Sequence, residues 1–289
     1  MIIIRIENGL GNQLFEYAYA RALKEKGYDV RLDLGKAYED SFFKYRDNDV
    51  RQNSIQNFNI TLPAIDVMKY GRYEYIKRDN NKNKIIFWLA EYGLWKYRFY
   101  EETICHNIRK PVCLAGNCYI RAWFQDERYF KQIRKILLQE LTLKKKIKIS
   151  KELCEALKSN ESVALHVRRG DYVKIHRSLN AAYYNRAISI IKKRYQNPVF
   201  LIFSEDLEWV KQNLEITDNC IYVNAEKKLQ DYEELMIMSR CKSNIISNST
   251  FSWWGAWLNR NPDKLVIAPK GPWVSIKQKD IIPEEWMTV

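Results

Sequence analysis

A chain of 289 residues that is 46% hydrophobic and 13% aromatic is too apolar for a disordered segment and long enough for two domains with buried cores. Its 48 basic against 35 acidic residues give a formal charge of +13, which favours polyanionic partners such as nucleic acid, an anionic membrane or a phosphorylated substrate. Six cysteines with no C-x-x-C and no ligand-like spacing to the three histidines argue against zinc and against a disulfide framework, and place the chain in a reducing compartment.

The apolar start Met1-Ile2-Ile3-Ile4 is interrupted by Arg5 and Glu7, too soon for a signal peptide, and no window approaches the roughly 20 apolar residues of a membrane span. A cytoplasmic protein, soluble or peripheral, is expected. Ile2 to Ile6 reads as a buried parallel strand, residues 7–11 as a tight loop and residues 12–27 as a helix. Leu14, Ala18 and Ala22 share one face of that helix, Asn12 is its expected N-cap and Gly27 its stop. Asp29 to Leu34 reads as the next strand and completes a βαβ unit. The loop Gly9-Leu10-Gly11-Asn12-Gln13-Leu14 starts like a dinucleotide fingerprint but has Leu14 where a third small residue belongs, so it serves equally as a plain strand-to-helix turn. Either way, free helix amides make a small polar pocket at the top of the sheet.

Residues 35–155 are less regular. Asp47-Asn48-Asp49 spells D-x-D, but Arg46 and Arg51 flank it and already compensate the carboxylates, which argues against a metal. Phe87-Trp88-Leu89 through Trp95-Lys96-Tyr97 reads as core, with stacking on a sugar or base face as the alternative. Trp123 to Phe130 opens an expected amphipathic helix. Lys144-Lys145-Lys146-Ile147-Lys148 reads as a solvated hinge, with contact to an anionic membrane surface as the minor reading. The domain boundary is set there, giving residues 1–150 and 151–289.

From residue 162 the pattern is a strict alternation: strands at 162–167, 198–203, 220–223, 243–247 and 264–268, with helices at 180–195, 206–214, 229–240 and 251–259 between them. Such alternation predicts an α/β fold with a doubly wound parallel sheet. In that fold ligands bind beyond the carboxyl ends of the strands, and the polar residues collect there. His166, Arg168 and Arg169 follow one strand, Ser204, Glu205 and Asp206 the next, and Asn248, Ser249 and Thr250 precede the helix starting at Phe251. Guanidiniums, a carboxylate and a hydroxylated helix N-terminus suit a nucleoside diphosphate, with the base on the carboxylate and the phosphates on arginine and helix dipole. There is no G-K-[ST] P-loop, which disfavours ordinary kinase or ATPase chemistry.

Taken together, Gly9 to Phe15, His166 to Tyr172 and Asn248-Ser249-Thr250-Phe251-Ser252-Trp253-Trp254-Gly255-Ala256-Trp257-Leu258 resemble glycosyltransferase family 11, the α-1,2-fucosyltransferases, in a bacterial type without a membrane anchor. The resemblance spans nearly the whole chain. It implies a GT-B-like fold of two Rossmann-type domains with parallel sheets, an N-terminal acceptor side and a C-terminal donor side. It further implies GDP-fucose as donor substrate, inversion at the fucose anomeric carbon and no metal or other cofactor. Carried over, Arg168 holds the GDP phosphates with Arg169 beside it, His166 and Asp206 meet the guanine side, and Ser249 and Thr250 with their amides hold the β-phosphate. Ser204, Asn248 and Phe251 line that donor site, and Asn12 faces the reacting centre or acceptor. Gly116 to Phe130 matches the family's aromatic, Gln-containing segment less closely, and the family's typical GYW or GYF start is altered, which leaves the acceptor contacts open.

Fucose leaves as an oxocarbenium-like cation, so charge on the departing diphosphate is what must be stabilised, and Arg168 and the helix at 251 can do this without a metal. For the proton of the acceptor hydroxyl, Glu7, Asp171 and the leaving phosphate are all candidates, and the sequence does not rank them. The expected acceptor is an oligosaccharide or a lipid-linked glycan. Two other readings stand beside this one: a fucosyltransferase of different linkage, acting on a protein or a chitin oligosaccharide, and a basic nucleic-acid-binding module. The latter lacks any RRM, KH or zinc-finger signature, so no nucleic-acid partner is expected.

Overall fold

A computed structural model describes residues 1–34, 53–65, 98–100, 118–120, 122–216, 219–225, 228–271, 273 and 281–289. The chain forms two compact units, Met1–Leu141 and Thr142–Val289. Asp47, Asp49 and the aromatic stretch 87–97 lie outside the described residues.

In the first unit β1 (Ile2–Arg5), α1 (Leu10–Glu25) and β2 (Val30–Asp33) form the βαβ unit, with Ile2 opposite Val30 and Arg5 opposite Asp33. With β3 (Arg98–Tyr100) and β4 (Cys118–Ile120) they make a parallel sheet of order β2-β1-β4-β3. All of β1 is buried, as expected for a continuous apolar run covered on both faces. The helix starts earlier than the sequence implies. Asn8 adopts φ 65, a left-handed turn that asparagine tolerates, and Gly9 becomes the N-cap. Asn12 is therefore not the cap: it lies in the first turn, its N–H donating to Gly9 O at 2.9 Å. Gly27, at φ 89, ends the helix as expected.

The helix expected from Trp123 does not form. Phe124 stands at φ 46, its ring stacked on Tyr19 with centroids 3.8 Å apart, and the chain continues through two short 3-10 turns before α2 (Arg134–Glu140). The Glu140 carboxylate fastens α2 to its surroundings, accepting from the Tyr17 hydroxyl, from Arg21 Nε at 2.9 Å and from Thr61 Oγ1 at 2.8 Å.

The second unit opens with α3 (Lys151–Lys158), preceded by the exposed run Lys144 to Lys146. There follow β5 (Ser162–Val167), α4 (Gly170–Lys174), α5 (Ala181–Arg194), β6 (Val199–Ser204), α6 (Leu207–Asn213), β7 (Cys220–Tyr222) and α7 (Asp231–Met238). The unit closes with β8 (Ser243–Ile245), α8 (Thr250–Trp257), β9 (Val266–Ala268) and β10 (Met287–Thr288). The sheet is parallel, in the order β10-β9-β8-β5-β6-β7. Counted from β5, this is the doubly wound order 3-2-1-4-5-6 read from the opposite edge. Alternation puts Val163, Leu165 and Val167 against Ile188 and Ile191 of α5 on one face, and Ala164, Leu201 and Phe203 against Ile237 and Met238 of α7 on the other. Two units on parallel sheets give the α/β, GT-B-like organisation expected of the chain.

Candidate functional site

In a doubly wound sheet the crevice lies where the strand order reverses, and here that point falls between β5 and β8. The residues leaving these two strands meet across it. His166 Nδ1 lies 2.9 Å from Ser247 Oγ, which is 3.4 Å from Ser252 Oγ in α8. His166 is only 5% exposed. Burial, with the neighbouring Arg168 charge second, lowers its pKa to about 3, so the ring is neutral at ordinary pH and acts as a hydrogen-bonding group. Ser249 caps α8, accepting from Phe251 N, and the Phe251 ring lies 5.5 Å from that of His166. The first turn of α8, beginning at Thr250, thus lies at the same edge of the sheet as His166, with the positive end of its helix dipole there.

Arg168 and Arg169 diverge. Arg168 Nη2 pairs with Asp171 Oδ1 at 2.6 Å and Nη1 with Glu205 Oε1 at 3.1 Å, its guanidinium 5.3 Å from the Tyr172 ring centre. Arg169 turns toward α6, donating from Nε to Asp206 Oδ2 at 2.8 Å and lying 4.1 Å over the Trp209 ring. Tyr172 donates to Asn248 O at 3.4 Å, and Asn248 Nδ2 donates to Arg177 O at 2.9 Å, which joins the α4 segment to the loop before α8. The second unit thus brings His166, Arg168, Asp171, Asn248, Ser249, Thr250 and Phe251 to the carboxyl edge of one sheet.

Asp206, expected on the guanine side, caps α6. Oδ1 accepts from Trp209 N at 3.1 Å as the N-cap of α6, Oδ2 takes Arg169, and its own N–H donates to Ser204 Oγ at 3.1 Å. The Arg169 hydrogen bond, aided by the Trp209 amide, holds its carboxyl below the usual range. Two carboxylates the sequence reading left without a role stand nearby. Glu205 is the partner of Arg168. Glu234, in the first turn of α7, is pushed up to about 7 by burial, against the stabilising hydrogen bond from Asn224 Nδ2 and with the charges of Asp231 and Glu205 adding to the rise. Glu205 was legible as a strand-end carboxylate beside Asp206, whereas Glu234 carries no signal in its own segment.

Asn12 and Glu7 belong to the first unit. Asn12 Oδ1 accepts from Gln125 Nε2 at 2.9 Å, joining α1 to the segment after β4. Glu7 is not a surface residue: it is 3% exposed, lies 3.9 Å from Arg5 Nε, and its amide donates to Glu16 Oε2 at 2.7 Å. Arg5 Nη1 in turn pairs with Asp33 Oδ2 at 2.5 Å, so the carboxyl ends of β1 and β2 hold a buried ionic cluster. Among the described residues no three His, Cys, Asp or Glu side chains are grouped to hold a metal ion, and no helix is long and apolar enough to cross a membrane.

A family model described as Glycosyl transferase family 11 matches residues 1–289. An alpha-1,2-colitosyltransferase of Escherichia coli is 31% identical, covering 100% of this chain and 99% of its own. A galactoside alpha-(1,2)-fucosyltransferase 2 of Pongo pygmaeus is 25% identical over 96% of this chain and 76% of its own. Among solved structures, the fucosyltransferase NodZ from Bradyrhizobium is similar at a TM-score of 0.47 and 15% identity, covering 88% of this chain and 91% of its own.

Proposed function

The chain belongs to glycosyltransferase family 11, and we propose that it transfers L-fucose from GDP-fucose, with inversion, to O2 of a terminal β-galactoside in an oligosaccharide or lipid-linked glycan. The observation that carries this reading is that Arg168, which follows β5, and the α8 N-terminus, which follows β8, stand at the carboxyl ends of the two strands that flank the reversal of order. The C-terminal unit is the donor side in this reading and the N-terminal unit the acceptor side.

The chemistry follows from where charge develops. As the fucosyl C1–O bond to the β-phosphate lengthens, positive charge grows on the sugar ring and negative charge on the diphosphate. Arg168 offers paired N–H groups, and the α8 amides with the Ser249 and Thr250 hydroxyls offer neutral donors, aimed where the leaving oxygen becomes an anion. Neutral His166 contributes a hydrogen bond and no second cation, so the cationic contribution rests on the arginine. The acceptor O2 attacks from the opposite face of C1, and its proton goes to Asp171, to Glu7 or to the leaving phosphate. No metal enters this account, because arginine and helix dipole take the place a D-x-D-bound cation would fill.

A second reading concerns the sugar. The Escherichia coli relative is named for colitose, the 3-deoxy counterpart of fucose, so the donor here could equally present C3 without its hydroxyl. Incubation with GDP-[14C]fucose, and separately with GDP-colitose, over a panel of β-galactosides tests both. The expected product carries label on O2 of the terminal galactose from GDP-fucose. Transfer from GDP-colitose alone moves the assignment to the second donor, and no transfer to any β-galactoside from either donor, with transfer to a chitin oligosaccharide or protein instead, overturns the acceptor.

A further inference from the structure

We infer that Glu205 is the positioning residue that sets the Arg168 fork, and that position 170 is glycine in order to admit it. The inference rests on the donor reading above and adds to it a residue that touches neither sugar nor phosphate in that reading.

Three observations converge. The first is register: Val167 of β5 lies opposite Ser204 of β6, so Arg168 and Glu205 are the next residues out on neighbouring strands, and the pairing is set by the sheet itself. The second is contact: Glu205 Oε1 is 3.1 Å from Arg168 Nη1, while Asp171 holds Nη2 at 2.6 Å. A guanidinium is planar, and two carboxylates on its two terminal nitrogens, one from the next strand and one from α4, fix that plane. Each terminal nitrogen still carries a second N–H to offer a phosphate oxygen. The third is steric. A Cβ on Gly170 would stand 2.8 Å from Glu205 Oε1 and 3.1 Å from its Cγ, so the Glu205 side chain lies directly against the glycine Cα, and any larger residue there must push it off.

Stability does not account for this arrangement. The side chains are 26% and 35% exposed, and pairs so open to water contribute little to folding. Orientation does. A binding group held about 1 Å out of place loses much of its transition-state contribution even when ground-state affinity survives. Glu205 could instead act only as a nearby negative charge that repels the donor. That role predicts the opposite outcome on removal: tighter GDP binding.

The test is a double-mutant cycle on the full chain, measuring kcat and KM for GDP-fucose, GDP affinity by calorimetry, and a thermal melt. Glu205→Gln removes the charge at nearly constant volume, and Gly170→Ala displaces the same carboxylate without touching a polar group. Each is expected to lower kcat by roughly tenfold or more while GDP affinity and melting temperature change little. In an Arg168→Lys background, Glu205→Gln should cost less than about a further twofold, because its effect passes through the arginine. A merely structural residue would subtract its full effect in both backgrounds. Should Gly170→Ala fail to fold, the Glu205→Gln arm decides alone. Full additivity, a Glu205→Gln enzyme within about threefold of wild type, or tighter GDP binding with unchanged kcat would each overturn the positioning role. A wild-type protein that neither binds GDP nor transfers fucose overturns the donor reading beneath it, an outcome visible before any variant is made.

Discussion

His166 Nδ1 and Ser247 Oγ stand 2.9 Å apart across the seam where the sheet reverses order. Because the ring is buried, its pKa is lowered to about 3, and it has no charge to offer the diphosphate. We therefore expect the His166 imidazole to show no titration between about pH 5 and 8 by NMR, against an unperturbed value of about 6.5. For a base whose folded pKa is depressed, stability is present above the unfolded value and is lost as pH falls from there toward the folded one. A midpoint near 6.5 would place the ring in solvent and undo its role at the seam.

Glu234 tilts stability the other way. Burial pushes its carboxyl up to about 7, so between the unfolded value and that pH the folded chain holds a proton the unfolded chain has lost. Its contribution is present at low pH and is lost as pH rises through this window. Glu234→Gln should flatten the melting-temperature profile there and stabilise the protein at pH 8. A Gln variant that parallels wild type at every pH would show that Glu234 titrates as an ordinary surface acid.

Arg168→Lys tests the fork. Lysine keeps the charge but cannot satisfy two carboxylates and a phosphate from one plane. Transition-state stabilisation should fall by roughly 2–4 kcal/mol, mostly in kcat. A variant within about threefold of wild type, under 1 kcal/mol, would remove Arg168 from the phosphate site.

Asp206 separates two roles. Both its oxygens already accept, one from the Trp209 amide and one from Arg169, and asparagine caps a helix about as well as aspartate. Asp206→Asn is therefore expected to melt near wild type and to bind GDP within about threefold. A loss of roughly 2–4 kcal/mol confined to GDP, with UDP and ADP unaffected, would return guanine recognition to this carboxylate.

What the sequence made legible follows the regularity of each half. β5 was readable to both ends because Ser162 to Val167 is an unbroken buried run followed at once by charge, and the strict alternation after it dictated the parallel sheet. The α1 start is not legible locally: Asn12 looks like a cap, and nothing nearby says that Asn8 turns left-handed and begins the helix at Leu10. Phe124 hides the same way: its positive φ breaks a segment whose composition is helical. The Arg168–Glu205 pair depends on which residue of β6 stands opposite Val167, a register that neither segment carries alone. Asp206 stands out in the sequence as a carboxylate at a strand end, whereas the role of Glu205 is visible only across strands.

The most direct test of the account is calorimetric titration of the EDTA-treated wild-type protein with GDP, beside UDP and ADP. GDP is expected to bind without added metal, UDP and ADP far more weakly, and Arg168→Ala to lose most of the GDP affinity. GDP binding that appears only on addition of Mn²⁺ or Mg²⁺, or that is unchanged in Arg168→Ala, would contradict it.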